Sequence, residues 1–194
     1  RIYRREGEKI IMARANTKVE FTDKQNVEIE NLMPWSVGFK AYVTLSNLSG
    51  GFCISGGKHI YLEDSDSEKY LKGTFKMTVE ELREQINSGN RAFVGTDGCG
   101  KHACMRINDL EFYRYIFNLP DVKELPVQLT QEAISELLDI DDPKKFKEEL
   151  KNLVHTDSEK KAFAYFAWKH PKINEIPFSM IKAMEDYTGF TIVD

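Results

Sequence analysis

The sequence has few of the features that mark secreted, membrane-spanning or nucleic-acid-binding proteins. Only three of its 194 residues are cysteine, and none forms a Cys-x-x-Cys pair, which favours reduced thiols over a disulfide framework. No run approaches the roughly 18 apolar residues that a membrane helix needs, and no succession of charged, apolar and small residues resembles a secretion signal. The net charge is −4 without any Lys/Arg-rich run, so we expect neither generic nucleic-acid binding nor membrane contact.

Motifs for covalent catalysis are missing as well. There is no Gly-x-Ser-x-Gly elbow. The four histidines have no serine or cysteine partner at a diagnostic spacing: His59, His102, His155 and His170. We therefore expect a protein that is not an enzyme, with no catalytic residues and no cofactor.

Residues 18–119 are predicted to form a β-rich domain, because the sequence from Lys18 to about Ile107 shows mostly the period-two pattern of half-buried strands. Val27 and Ile29 alternate with glutamates, and apolar residues alternate again from Val37 to Leu45. Turn residues separate these runs at 33–35, 47–51 and 55–57. The capping box Thr78-Val79-Glu80-Glu81 begins one helix of about ten residues. This half is predicted to be a small antiparallel β-sandwich or barrel with one short helix.

Residues 130–190 show the helical period instead. Helix starts are predicted at Thr130, at Asp142-Pro143, at the capping box Thr156 to Glu159 and near Pro177, and Gly189 is predicted to end the last helix. The segment 120–129, with two prolines, is the predicted linker. Net charge changes from +1 in residues 1–119 to −5 in residues 120–194. The chain is thus predicted to be α+β, with a C-terminal bundle of about four short helices.

The first 17 residues are predicted to be a flexible N-terminus. Residues 1–11 have a composition whose codons can spell a purine-rich ribosome-binding site, so one hypothesis is a translated leader with Met12 as the native start. The alternative is an ordinary frayed terminus.

The string Gly95-Thr96-Asp97-Gly98-Cys99-Gly100-Lys101 matches the letters of a phosphate-binding P-loop. A P-loop opens a helix and is followed by a Ser/Thr that binds magnesium, but His102 occupies that position and the next residues alternate like a strand. Because residues 91–94 also suit a strand, we predict a β-hairpin with Asp97-Gly98 in its turn.

Two groups of residues suggest a metal site, but for each an interpretation without a metal is preferred. Cys99, His102 and Cys104 could bind zinc if Cys53 and His59 joined them, but small apolar cysteines and turn histidines explain these residues as well. The acidic run 63–68 lacks the spacing of an EF-hand loop and is predicted to be a solvated loop. No metal is expected.

The aromatic helix that follows Thr156 contains the best candidate for an interface. Phe163 and Phe166 are predicted to be core residues, whereas Tyr165 and Trp168 lie toward the opposite face. Exposed Tyr and Trp side chains are common anchors of protein interfaces. We therefore predict that Trp168 and Tyr165 contact a protein partner.

Three stretches carry a resemblance to a known group of proteins. They are NVEIENLMPWSVGF (26–39), INSGNRAFVGTDGCGKHACMRIND (86–109) and PVQLTQEAISELLDIDDPKKFKEELKNLVHTDSEKKAF (126–163). In this order they resemble small, mostly uncharacterised proteins encoded by tailed phages and prophages of gut Firmicutes and their relatives. The resemblance covers most of residues 18–190 and implies a phage origin, with a place among virion or virion-assembly genes. It brings no established activity and no functional residues.

These observations favour a non-enzymatic phage or prophage accessory protein, a structural or assembly component that binds other virion proteins or itself. Its expected location is the virion or the host bacterial cytoplasm. Two alternatives stay open: an early phage protein that inhibits a host factor or defence system by binding, and a protein that binds a small ligand or nucleotide with its glycine-rich loops.

Overall fold

A computed structural model describes residues 20–40, 51–61 and 68–193. The predicted flexible N-terminus with its leader, the strand continuation to Leu45, most of the turn at 47–51 and most of the acidic run 63–68 lie outside these residues. The described strands are β1 (Asn26–Asn31), β2 (Val37–Lys40), β3 (Gly51–Ile54), β4 (Lys58–Tyr61), β5 (Glu68–Leu71), β6 (Gly73–Thr78) and β7 (Met105–Ile107). The described helices are α1 (Val79–Asn87), α2 (Arg91–Val94), α3 (Leu110–Ile116), α4 (Gln131–Leu138), α5 (Pro143–Leu153), α6 (Asp157–Lys169) and α7 (Phe178–Thr188), with a 3₁₀ turn at Ile173–Glu175.

The strands form three small antiparallel sheets. β1 lies between β6 and β7, while β2 pairs with β3 and β4 pairs with β5. The predicted α+β class is confirmed, and the strands within the described ranges do not close into a barrel. At the centre of the larger sheet Ile29 faces Phe75 on one side and Ile107 on the other, and Ile29 is fully buried.

The N-terminal half contains more helix than the sequence pattern predicted. α1 begins at the expected capping box, where the Thr78 hydroxyl accepts from the Glu81 N–H at 3.2 Å. Residues 91–94, predicted as a strand, instead form α2, because the Asn90 side chain caps the Ala92 N–H at 3.0 Å. α3 was not predicted and is capped in the same way by Asp109.

The helices of the C-terminal half begin where the sequence predicted. The side chains of Thr130, Asp142 and Thr156 cap α4, α5 and α6, and Gly189 ends α7 in the left-handed conformation with φ of 79°. The longest of these helices, α6, has 13 residues. None of the helices in the described ranges has both the length and the apolar character that crossing a membrane requires.

Buried apolar residues form two clusters. One surrounds the three-stranded sheet and includes Ile29, Met77 and Phe112. The other lies among α4 to α7 and includes Phe163 and Phe166, as predicted. Leu32, which follows β1, is buried in the helical cluster, so the end of β1 joins the two halves of the chain.

Candidate functional site

The glycine-rich loop connects α2 to β7 and is neither a P-loop nor a hairpin. A helix precedes it and a strand follows it, so the hairpin prediction is wrong on the N-terminal side. Gly95, Gly98 and Gly100 all have positive φ, at 63°, 82° and 98°. These backbone conformations favour glycine. They allow residues 95–104 to form a compact loop between α2 and β7.

Two N–H groups of this loop donate to the loop's own carboxylate. Oδ1 of Asp97 accepts from the N–H of Cys99 at 2.8 Å and from the N–H of Lys101 at 3.0 Å. The N–H groups of Thr96 and Gly100 donate to backbone carbonyls. In a P-loop these donors would face phosphate oxygens. Here Asp97 accepts from two of these donors, so the N–H groups of Cys99 and Lys101 are not available to an anion.

His102, at the end of the loop, combines an uncommon backbone conformation with a buried side chain. Its φ is 57°, a left-handed conformation that is uncommon outside glycine. Its N–H donates to the Val127 carbonyl at 2.9 Å. Its side chain is only 5% exposed, and Nδ1 lies 3.0 Å from Oε1 of Glu159. The ring stacks on His155 with centroids 5.1 Å apart.

Glu159 links this histidine to the start of α6. Its Oε2 accepts from the N–H groups of His155 and Thr156 at 2.9 and 2.8 Å and from the Thr156 hydroxyl at 3.1 Å. The same carboxylate therefore closes the capping box of α6 and holds the imidazole of His102. Since Glu159 is only 2% exposed, it is a buried carboxylate whose oxygens are all hydrogen-bonded.

The predicted linker contributes to the same region. Gln128 is buried, and its side-chain amide donates to the carbonyls of Ala103 and Met105 at 3.2 and 3.1 Å. Together with the bond from His102 to Val127, these contacts attach residues 127 and 128 to the end of the glycine loop.

A cleft of about 750 Å³ opens between the glycine loop and the α4–α5 pair. Its charged lining residues are Lys101, Lys145, Lys151, Glu136 and Glu149. The imidazole-bearing residues His102 and His155 also line it. Its other lining residues are Thr96, Val127, Ala133, Leu137, Ile140, Asn152 and Leu153. The cleft thus combines an apolar wall with cationic groups beside a buried His–Glu pair.

The possible zinc ligands lie on several different elements. Cys53 lies on β3 and His59 on β4, whereas Cys99 and Cys104 flank the turn that contains His102. Within residues 20–40, 51–61 and 68–193 no three His, Cys, Asp or Glu side chains are grouped to bind a metal ion. His102 faces Glu159 instead. The Cys104 thiol contacts the Ala92 carbonyl oxygen at 3.7 Å, and burial raises its pKa to about 11.

Thiol labelling should distinguish these cysteines. Because Cys53 is exposed while burial raises the pKa of Cys104, we expect an aromatic disulfide reagent at about pH 8 to modify Cys104 at least tenfold more slowly than Cys53. Peptide mass spectrometry after timed quenching measures both rates. Similar rates in concentrated denaturant are the control, and similar rates in the folded protein would contradict the placement of Cys104.

The predicted interface residues lie on the exposed side of α6. Trp168 is 53% exposed and Tyr165 is 36% exposed, with ring centroids 6.3 Å apart. The ammonium group of Lys169 lies 4.3 Å from the Trp168 ring. Phe178, which sequence reasoning did not single out, is 78% exposed at the start of α7.

Sequence reasoning missed the His102–Glu159 contact and the cleft beside it. Glu159 was identified only as a capping residue, and the histidines were treated as scattered. The two partners are 57 positions apart, so no spacing rule connects them.

The fold and the site define a small α+β protein with a charged cleft between a glycine-rich loop and a helix pair. Comparisons of this chain with protein-family models, with curated proteins and with solved structures find no match.

Proposed function

We propose that this chain is a non-enzymatic accessory protein of a phage or prophage, and that it acts by binding a protein partner through Trp168 and Tyr165. The observation that carries the proposal is the exposure of Trp168, at 53%, on a helix whose opposite side is buried. Large aromatic side chains dominate the energetics of many interfaces, since they bury much apolar area when a partner covers them.

Neighbouring residues extend the candidate contact surface around Tyr165 and Trp168. Lys161, Tyr165 and Trp168 are spaced four and three residues apart, which places them on one face of α6. The Lys161 ammonium lies 5.1 Å from the ring of Trp35, which is half-buried beside the helical core. We call the surface of Trp35, Tyr165 and Trp168 the aromatic face. Lys161 and Lys169 border it, so its preferred partner carries acidic groups around an apolar centre.

The phage context is supported by the sequence resemblance described above. The main proposal is a virion or virion-assembly component, located in particles or in the host cytoplasm before assembly. Mass spectrometry of purified particles from the source phage should then detect the protein. Early synthesis, absence from particles and copurification with a host protein would favour the inhibitor alternative.

Trp168→Ala tests the aromatic face. Because more than half of Trp168 is exposed, we expect the free energy of unfolding to fall by no more than about 1 kcal/mol, whereas partner binding should weaken at least tenfold. Chemical denaturation measures the first quantity. Quantitative capture of the partner, or incorporation into particles, measures the second.

Phe178→Ala is the matched control, because it removes an exposed aromatic side chain from α7 instead of α6. It should leave both quantities nearly unchanged. Equal capture by the wild type and by Trp168→Ala would refute the aromatic face, and a loss of several kcal/mol of stability would assign Trp168 to the core.

A further inference from the structure

We propose that the cleft beside the glycine loop binds a small phosphate-bearing organic anion of mononucleotide size, with Nε2 of His102 and the cleft lysines as its phosphate ligands. This inference goes beyond the proposed function, because it concerns a small ligand and a different surface from the aromatic face.

The contact with Glu159 fixes the orientation of the His102 ring and leaves its second nitrogen for a ligand in the cleft. Nδ1 of His102 lies 3.0 Å from Oε1 of Glu159, whose Oε2 accepts from three donors at the start of α6. When both ring nitrogens carry a proton, Nδ1 donates to Glu159 and Nε2 can donate to a phosphate oxygen. The remaining ring nitrogen, Nε2, has no hydrogen-bond partner among the residues that the structure describes, although the side chain is only 5% exposed. Since Nδ1 is turned toward Glu159, Nε2 is the polar atom that His102 can offer to the cleft it lines.

The backbone at His102 supports the same conclusion. A left-handed φ at a non-glycine residue is unfavourable, and such conformations cluster at functional sites where the surroundings enforce them. Here the hydrogen bond to Val127 holds the backbone of His102, and the contact with Glu159 holds its side chain. The imidazole is therefore oriented before any ligand arrives, which lowers the entropic cost of binding.

The charges of the cleft favour an anion. Three lysines line it against two glutamates, Glu136 and Glu149. None of the ammonium groups of Lys101, Lys145 and Lys151 forms an ion pair with another residue in the described parts of the chain. Because the N–H groups of Cys99 and Lys101 already donate to Asp97, we assign the lysine side chains and His102 as the phosphate ligands.

The apolar wall requires an organic ligand. Val127 is 47% exposed and lies on the cleft beside Leu137 and Ile140. A volume of about 750 Å³ is within the range of roughly 300 to 1,000 Å³ that small-molecule sites occupy. Inorganic phosphate would leave this wall uncovered, whereas a mononucleotide can place its base there and its phosphate near the cations.

The proposal is tested by isothermal titration calorimetry of the full chain at low salt, which measures the affinities for AMP, GMP, their nucleosides and inorganic phosphate. We expect a mononucleotide to bind at least tenfold more tightly than its nucleoside and than inorganic phosphate. Nitrogen-detected imidazole spectra should show Nε2 of His102 shifting on saturation, with the signal assigned by its loss in His102→Asn. Asparagine tolerates left-handed φ, which makes it the mildest replacement.

Two lysine pairs on α5 supply a matched comparison that does not depend on His102. Lys145→Gln with Lys151→Gln removes two charges from the cleft, and Lys144→Gln with Lys147→Gln removes two charges from the same helix outside it. The first pair should weaken mononucleotide binding at least tenfold and the second less than twofold. Equal weakening by both pairs, or no preference for the mononucleotide over the nucleoside, would overturn the proposal. The Trp168→Ala variant should bind the mononucleotide with the affinity of the wild type. A negative result for the cleft therefore does not refute the aromatic face, and a negative result for the aromatic face does not refute the cleft.

Discussion

Glu159→Ala is expected to lower the free energy of unfolding by about 3 kcal/mol or more. The substitution removes the carboxylate that closes the capping box of α6, and it also leaves the buried ring of His102 without its partner. A buried polar group that loses its partner keeps the full cost of leaving water. Denaturant unfolding followed by circular dichroism measures the change.

Glu81→Ala is the matched control for Glu159→Ala, because it removes a capping-box carboxylate that has no histidine partner in the described structure. The difference between the two losses of stability gives the contribution of the contact with His102. The α1 box has nearly the same geometry as the α6 box, since the Thr78 N–H donates to Glu81 at 2.8 Å and the Thr156 N–H donates to Glu159 at 2.8 Å. Glu81 is only partly buried and makes no contact with a histidine in the described structure. Its replacement should cost about 1 kcal/mol, as the loss of a helix cap does. If the two substitutions cost the same, the contact between His102 and Glu159 contributes nothing to stability.

Gly95→Ala is the second substitution for which we expect a large loss, about 3 kcal/mol. Gly95 has φ of 63° and ψ of −145°, a conformation that is essentially restricted to glycine. A Cβ added there would overlap the carbonyl oxygen of Lys101, which is backbone and cannot rotate away. Relief of the overlap would move Lys101 and His102, so the cleft should lose its shape together with the stability.

Gly98→Ala provides the comparison within the same loop. Gly98 also has positive φ, at 82°, but a Cβ there would meet no atom within 4 Å. Only the conformational cost remains, which is about 1 kcal/mol. Thermal unfolding of both variants should therefore give a clearly lower midpoint for Gly95→Ala. An equal effect of the two would show that the close approach of Lys101 to Gly95 is not important for stability.

Local signals in the sequence were sufficient for the helices of the C-terminal half. A capping side chain satisfies backbone N–H groups two or three residues away, so Thr130, Asp142 and Thr156 define the starts of α4, α5 and α6 without reference to the rest of the fold. The periodic spacing of Phe163 and Phe166 likewise predicted their burial.

The same reasoning was wrong for residues 91–94, where four residues are too few to distinguish a strand from a helix by period. Asn90 was the signal that could have corrected the prediction, because asparagine is among the preferred N-cap residues. Gly98, which was predicted to lie in a hairpin turn, does have positive φ, although the loop around it leads from a helix into a strand.

The sequence by itself determined the α+β class, the starts of the C-terminal helices and the exposure of Trp168 and Tyr165, because each depends on residues within a few positions of one another. Only the tertiary structure decided that His102 meets Glu159 and that a cleft forms between the glycine loop and α5. His102 and Glu159 are 57 positions apart in the sequence, and the cleft is lined by residues of the loop together with residues of α4 and α5. Their geometry is set by the packing of α4 to α6 on the loop, which no local pattern encodes.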